Sequence, residues 1–140
     1  SEAYGATRVG HGYCCLHRNE PGNEQLQTVA LLKKKGAHLE ACPTSSWLTG
    51  GWRAPLVPDW SGHPLRQYIE LDLRCSVATD DPLMEDTTLE RECVDICQTG
   101  MGLSVEQMRR MTLDAAAAAF LPEADKTVIV ERVEAYYAHL

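Results

Sequence analysis

The sequence predicts an α/β fold built on a parallel sheet, and three observations carry that reading. Short apolar strands at 6–11, 37–42 and 75–79 alternate with helical segments, the order that βα units impose on a parallel sheet. The strand ends recur at His11, Cys42 and Thr79, a spacing of roughly thirty residues or a little more, which suits one unit of an eight-unit (β/α)8 barrel. Each strand also ends on residues able to do chemistry: Gly10-His11-Gly12, Pro43-Thr44-Ser45-Ser46 and Thr79-Asp80-Asp81-Pro82. That is the edge where α/β proteins gather their reactive groups. Three units cannot close a barrel. Two architectures stay open at this point: an open doubly wound sheet, or a barrel whose upstream units lie outside this chain.

Each element has its own signal. After the first strand and the turn at Pro21-Gly22, the stretch 24–35 has apolar Leu26, Val29, Ala30 and Leu32 at helical spacing, and Gly36 stops it. Lys33-Lys34-Lys35 then reads as a solvated helix end, where cations are favoured. The second strand ends at Pro43, and a Gly-, Pro-, Ser- and Trp-rich loop is expected over 44–62. Pro64 opens a helix through Glu70 with Leu65, Tyr68 and Ile69 on one face, since proline suits the first helical position. Beyond the third strand the chain turns helical over 88–99, 104–120 and about 122–138. Ser104 and Gln107 are spaced as a capping box.

Composition narrows the function classes. With 44% hydrophobic residues in a chain of 140, a sizeable core can form and wholesale disorder is excluded. A net charge of -7 lacks the basic footprint that phosphate backbones select, so no nucleic-acid partner is expected. No signal peptide is recognisable and no apolar run reaches the ~18 residues of a membrane span. The six cysteines show neither C-x-x-C pairing nor a disulfide framework, so a reduced, cytoplasmic protein is expected.

Among the candidate site residues, His11 sits between two glycines, which leave the imidazole unscreened and let a ligand approach the backbone. A turn-bonded histidine is the bland alternative. Asp80 and Asp81 repel each other when both are ionised, and a divalent metal would compensate. Successive strand residues point opposite ways, so one can face a metal and the other a substrate donor; a helix-capping Asp-Asp-Pro turn is the rival. Cys93 and Cys97 read as core packing, because a metal there needs a further thiolate or histidine. Trp47, Trp52 and Trp60 either line a pocket or pack a lid.

Taken in order, these segments resemble the adenosine deaminase family. The carriers are Arg8-Val9-Gly10-His11-Gly12-Tyr13, the run from Leu39 through Cys42-Pro43-Thr44-Ser45-Ser46 to Trp52, and Ser76-Val77-Ala78-Thr79-Asp80-Asp81-Pro82-Leu83. His63-Pro64-Leu65 and Ala119-Phe120-Leu121-Pro122 also match, so the resemblance covers nearly the whole chain. It implies that residues 1–140 are the C-terminal part of a single catalytic domain, namely the last three βα units and closing helices of a TIM (β/α)8 barrel, left incomplete here. It also implies hydrolysis of adenosine and 2'-deoxyadenosine to inosine and 2'-deoxyinosine, with ammonia, by a zinc-activated hydroxide attacking C6 of the purine, the metal lowering the pKa of water. On this carry-over Asp80 is a zinc ligand and Asp81 hydrogen-bonds purine N7. His11 orients the hydroxide and steadies the charge that develops.

The sequence departs from the family in two ways. Ala78 stands where the family usually has Asn, and Cys14-Cys15 where vertebrate-type members have His-Thr. The family's other zinc ligands, an H-x-H pair and a further histidine, have no counterpart here, nor has its acid glutamate of an H-A-G-E segment. The partners expected are therefore a purine nucleoside and the missing N-terminal part of the barrel, and the chain alone is expected to be inactive, since catalytic zinc normally takes three protein ligands. Two alternatives remain: another purine deaminase of the family (adenine, methylated-nucleotide or AMP), or a truncated, non-catalytic interaction module. The loop around Ser46-Trp47-Leu48-Thr49-Gly50 favours a nucleoside over a nucleotide, Arg53 being its one basic residue.

Overall fold

The three strands form one parallel sheet in the order of the chain: β1 (Arg8–Gly10), β2 (His38–Ala41) and β3 (Arg74–Val77). The structure, a computed structural model, describes residues 5–16, 24–52 and 56–139. Pro21, Gly22, Arg53 and the side chain of Leu26 lie outside that description. Register is set by the pairs Arg8–His38 and His38–Arg74 at one end and Gly10–Glu40 and Ala41–Val77 at the other. All three strands therefore point the same way, and their C-terminal ends form one edge.

Alternation along the strands sorts the side chains into two faces. Val9, Leu39, Ala41, Cys75 and Val77 face the helices and join a core with Leu65, Tyr68, Met108 and Met111. The opposite face is polar: Arg8 pairs with Glu40, and His38 meets the Ser76 hydroxyl at 2.8 Å. Each covering helix follows from a local signal. α1 (Glu24–Lys35) ends at Gly36, whose φ of 59° is the left-handed cap, with the three lysines exposed in its last turn. α3 (Pro64–Glu70) starts on Pro64 at its first turn, and the His63 side chain accepts from the Leu65 N–H. α4 (Val105–Ala118) carries both bonds of the Ser104/Gln107 capping box. α5 (Glu123–Tyr137) lies against α4 through the Arg109–Glu134 ion pair at 2.5 Å. All six cysteines are free thiols. No helix among the described residues is long and apolar enough to cross a membrane.

Two expectations need correction. The loop expected over 44–62 opens instead with a short helix, α2 (Pro43–Leu48). Pro43 ends the strand and also occupies the first helical turn, and Thr44, Ser45 and Ser46 are buried by hydrogen bonding, so no apolar period announced the helix. The helix expected at 88–99 is π-helical over Arg91–Gly100. Bonding from i to i+5, as in Met101 N–H to Ile96 C=O at 2.7 Å, widens the turn so that Glu92, Ile96, Cys97 and Met101 are all buried. Cys97 is core, as expected, with Cys93 half-buried beside it.

Candidate active site

The edge formed by the strand ends brings His11, Cys42 and Asp80 together, one from each strand. His11 Nε2 lies 3.4 Å from Asp80 Oδ2, and one ligand atom from each of the three residues falls within 4.8 Å of the others. Both partners of the His–Asp pair have left-handed backbones, φ 56° at His11 and 63° at Asp80. His and Asp tolerate that region better than most non-glycine residues. Strain of this kind persists only where surroundings over-determine it, and here they do. The His11 N–H donates to Glu40 C=O at 2.8 Å, and the Tyr68 hydroxyl donates to His11 C=O at 2.9 Å.

Neighbouring groups aim each side chain. Ser45 Oγ donates to Asp80 Oδ2 at 2.7 Å, so one carboxylate oxygen faces both the hydroxyl and the imidazole. His11 Nδ1 is buried with no hydrogen-bond partner, which leaves Nε2 as the nitrogen that meets the carboxylate. Tyr13 packs 5.8 Å from the His11 ring, and its hydroxyl accepts from the Cys42 N–H at 3.0 Å. Gly12 has φ 70°, and a Cβ there would come within 3.0 Å of Leu39 Cδ2, so glycine is required for the loop to sit on the sheet. Burial pushes the Cys42 thiol up to about 12, with Asp80 and Glu40 adding to the effect. A cleft of about 360 Å³ lies beside His11, lined also by Gly12, Tyr13, Ser46, Thr49 and Gly51, within the size range of small-ligand pockets.

Asp81 is exposed in the turn after Asp80, and its C=O accepts from the Met84 and Glu85 N–H groups. The three tryptophans pack on one another and on His63. Trp52 stacks on Trp60 at 5.6 Å, Trp47 meets Trp60 at 6.1 Å, and Trp52 meets the His63 ring edge-on at 4.8 Å. The segment Pro43-Thr44-Ser45-Ser46, expected from the sequence to carry reactive groups, supplies Ser45, whereas sequence reasoning gave Cys42 and His63 no place in this neighbourhood. The signal for those two was their position at a strand end and before a helix start.

The donor set matches one side of a zinc site. An imidazole nitrogen, a carboxylate oxygen and a sulfur are all ligand types that zinc accepts. The carboxylate is held by an outer hydroxyl, as metal-binding carboxylates usually are. Among the described residues, His11, Cys42 and Asp80 are the group whose ligand atoms lie close enough to share an ion.

A parallel sheet wrapped on one side by helices, with a His–Asp pair at its carboxyl edge, defines a segment of a (β/α)8 barrel. The chain belongs to the adenosine deaminase family, whose model matches residues 2–136. It is 36% identical to the adenosine deaminase of Xenopus tropicalis over 136 residues, covering 96% of this chain and 35% of that protein. It is 35% identical to that of Enterococcus faecalis over 133 residues, covering 95% and 36%. The chain thus spans about a third of the length of the curated relatives it matches. Its fold is similar to an adenine deaminase from Arthrobacter aurescens, at TM-score 0.75 and 21% identity over 93% of this chain and 36% of that one. It is similar also to the N6-methyl-AMP deaminase from Arabidopsis thaliana, at TM-score 0.74 and 20% identity over 95% and 35%.

Proposed function

We propose that this chain is the C-terminal third of a zinc-dependent purine deaminase, and that the whole enzyme converts adenosine or 2'-deoxyadenosine and water to inosine or 2'-deoxyinosine and ammonia. The observation that carries this reading is the 3.4 Å approach of His11 Nε2 to Asp80 Oδ2 at the carboxyl edge of the sheet. Family membership over residues 2–136 supports it.

Asp80 would hold the zinc, with Ser45 fixing the carboxylate and further ligands coming from barrel strands outside this chain. When bound, zinc supplies the Lewis acidity that makes water a nucleophile near neutral pH. His11 Nε2 orients the attacking water and carries its proton, and as an imidazolium it stabilises the negative charge that develops. Asp81 hydrogen-bonds purine N7, which needs a proton on either the carboxyl group or the base. Exposure of the Asp81 turn beside the pair is consistent with that role. A reduced, cytoplasmic setting belongs to this reading, and the six free thiols support it. Taken alone, the chain would be inactive, because Asp80 by itself cannot retain a catalytic metal.

A second reading within the family has adenine, a methylated nucleotide or AMP as the substrate. The adenosine reading rests on the higher identity, 36% against 21%. Chromatography that follows the loss of each substrate, with the zinc-loaded full-length parent given adenosine, adenine, AMP and N6-methyl-AMP in competition, separates the two. Adenosine is expected to be consumed first. A zinc-loaded parent that leaves adenosine untouched overturns the substrate assignment.

A further inference from the structure

We propose that Glu92 is a positioning residue for this site, locking the loop that bears Asp80 and Asp81 onto the helix whose Ser45 holds Asp80. The inference rests on the reading that Asp80 binds zinc. Glu92 is 0% exposed, on the inner face of the π-helix. Its Oε1 accepts from the Thr87 hydroxyl at 2.6 Å, and its Oε2 accepts from the Thr44 N–H at 3.3 Å. Both partners are buried, Thr87 at 5% and Thr44 at 2%. Among the described residues no lysine or arginine pairs with it.

The two partners lie on the two segments that must stay in register for Asp80 to face His11. Thr44 immediately precedes Ser45, whose hydroxyl reaches Asp80 Oδ2 at 2.7 Å. Thr87 closes the turn that starts at Asp80, its N–H bonded to Pro82 C=O at 3.1 Å. A closed circuit results: from Asp80 to Ser45, along the backbone to Thr44, across Glu92 to Thr87, and back along the turn to Asp80. A side chain needed only to fill space would not require two acceptor oxygens turned toward two different strand ends. An unsatisfied carboxylate at this depth is also strongly disfavoured, so the bonds are obligatory once the residue is Glu.

The test uses the zinc-loaded parent with Glu92→Leu, Thr87→Val and Glu92→Gln. The first two remove the circuit; Thr87→Val does so with almost no change of shape. Glu92→Gln preserves it, because the amide oxygen accepts from the Thr44 N–H while the amide nitrogen donates to the Thr87 hydroxyl. Zinc affinity, read by chelator competition, is expected to fall by about tenfold in the Leu and Val variants, the low end for groups that hold a ligand directly, since Glu92 and Thr87 act through Ser45. In those two variants kcat should fall with less change in KM, whereas in the Gln variant zinc affinity and kcat should both stay within about threefold of wild type. Folded Thr87→Val protein with wild-type zinc affinity and kcat overturns the inference, whatever its melting temperature. A wild-type parent that binds no zinc overturns the metal reading, and this inference with it.

Discussion

Ser45 Oγ and Asp80 Oδ2 are joined by a 2.7 Å hydrogen bond across two strand ends. The oxygen that receives it is the one facing His11 Nε2 at 3.4 Å, so the hydroxyl fixes how the carboxylate is turned toward the imidazole. Outer partners of this kind are commonly worth 10- to 100-fold in metal affinity. Ser45→Ala in the parent is therefore expected to weaken zinc binding by roughly that range in chelator competition. Equal affinity would show that the carboxylate needs no such restraint.

His11 is assigned a role in the chemistry rather than in holding metal, and the two are separable. Asn tolerates the left-handed backbone that His11 adopts at φ 56°, so His11→Asn removes the imidazole with little strain. Loss of a positioned acid–base group typically costs about 10²- to 10⁴-fold. Steady-state kinetics should show kcat reduced by that order while zinc content stays at wild-type level. Loss of zinc along with kcat would make His11 a ligand instead.

Gly100 ends the π-helix directly under the Trp60 ring. A Cβ added there would sit 2.8 Å from Trp60 Cδ1 and 3.0 Å from Trp60 Cβ. Trp47 and Trp52 pack against that ring, so it has little room to retreat. Gly100→Ala should destabilise the parent by about 1–3 kcal/mol, the usual cost of overpacking, read by urea unfolding with tryptophan fluorescence. No shift of the midpoint would mean that the indole moves freely.

Cys42 and Cys75 are both pushed up to about 12, chiefly by burial, with Asp80 the next cause for the first and Asp114 for the second. Unfolded thiols ionise near pH 9 while these stay protonated in the fold. Above that pH the unfolded state binds fewer protons, so stability falls as pH rises from about 9 toward 12. The urea midpoint of the parent should drop between pH 8 and pH 10.5, conditions chosen here, and drop less in Cys75→Ala. A slope unchanged by that substitution would contradict the burial assigned to the thiol.

Local signals were legible in the sequence, and tertiary ones were not. Gly36, Pro64 and the Ser104/Gln107 pair placed the bounds of α1, α3 and α4 because each acts through bonds within its own turn. The parallel order followed from the alternation of elements, and His11 and Asp80 stood out because they follow strand ends. Helix α2 escaped because hydrogen bonds bury Thr44, Ser45 and Ser46, leaving no apolar period to read. Glu92 escaped for the same reason: a lone acid in an amphipathic helix reads as solvent-facing until Thr44 and Thr87 are seen on either side of it. Cys42 stood in the sequence as the end of the second strand; its thiol is buried, and its sulfur lies beside the His–Asp pair.

The most direct measurement is a crystal structure of the zinc-loaded full-length parent with anomalous data at the zinc edge. An anomalous peak is expected about 2.0–2.2 Å from an Asp80 carboxylate oxygen, with the His11 imidazole beside it and the remaining ligands contributed by upstream strands. Zinc located elsewhere, with Asp80 bonded only to Ser45 and His11, would contradict it.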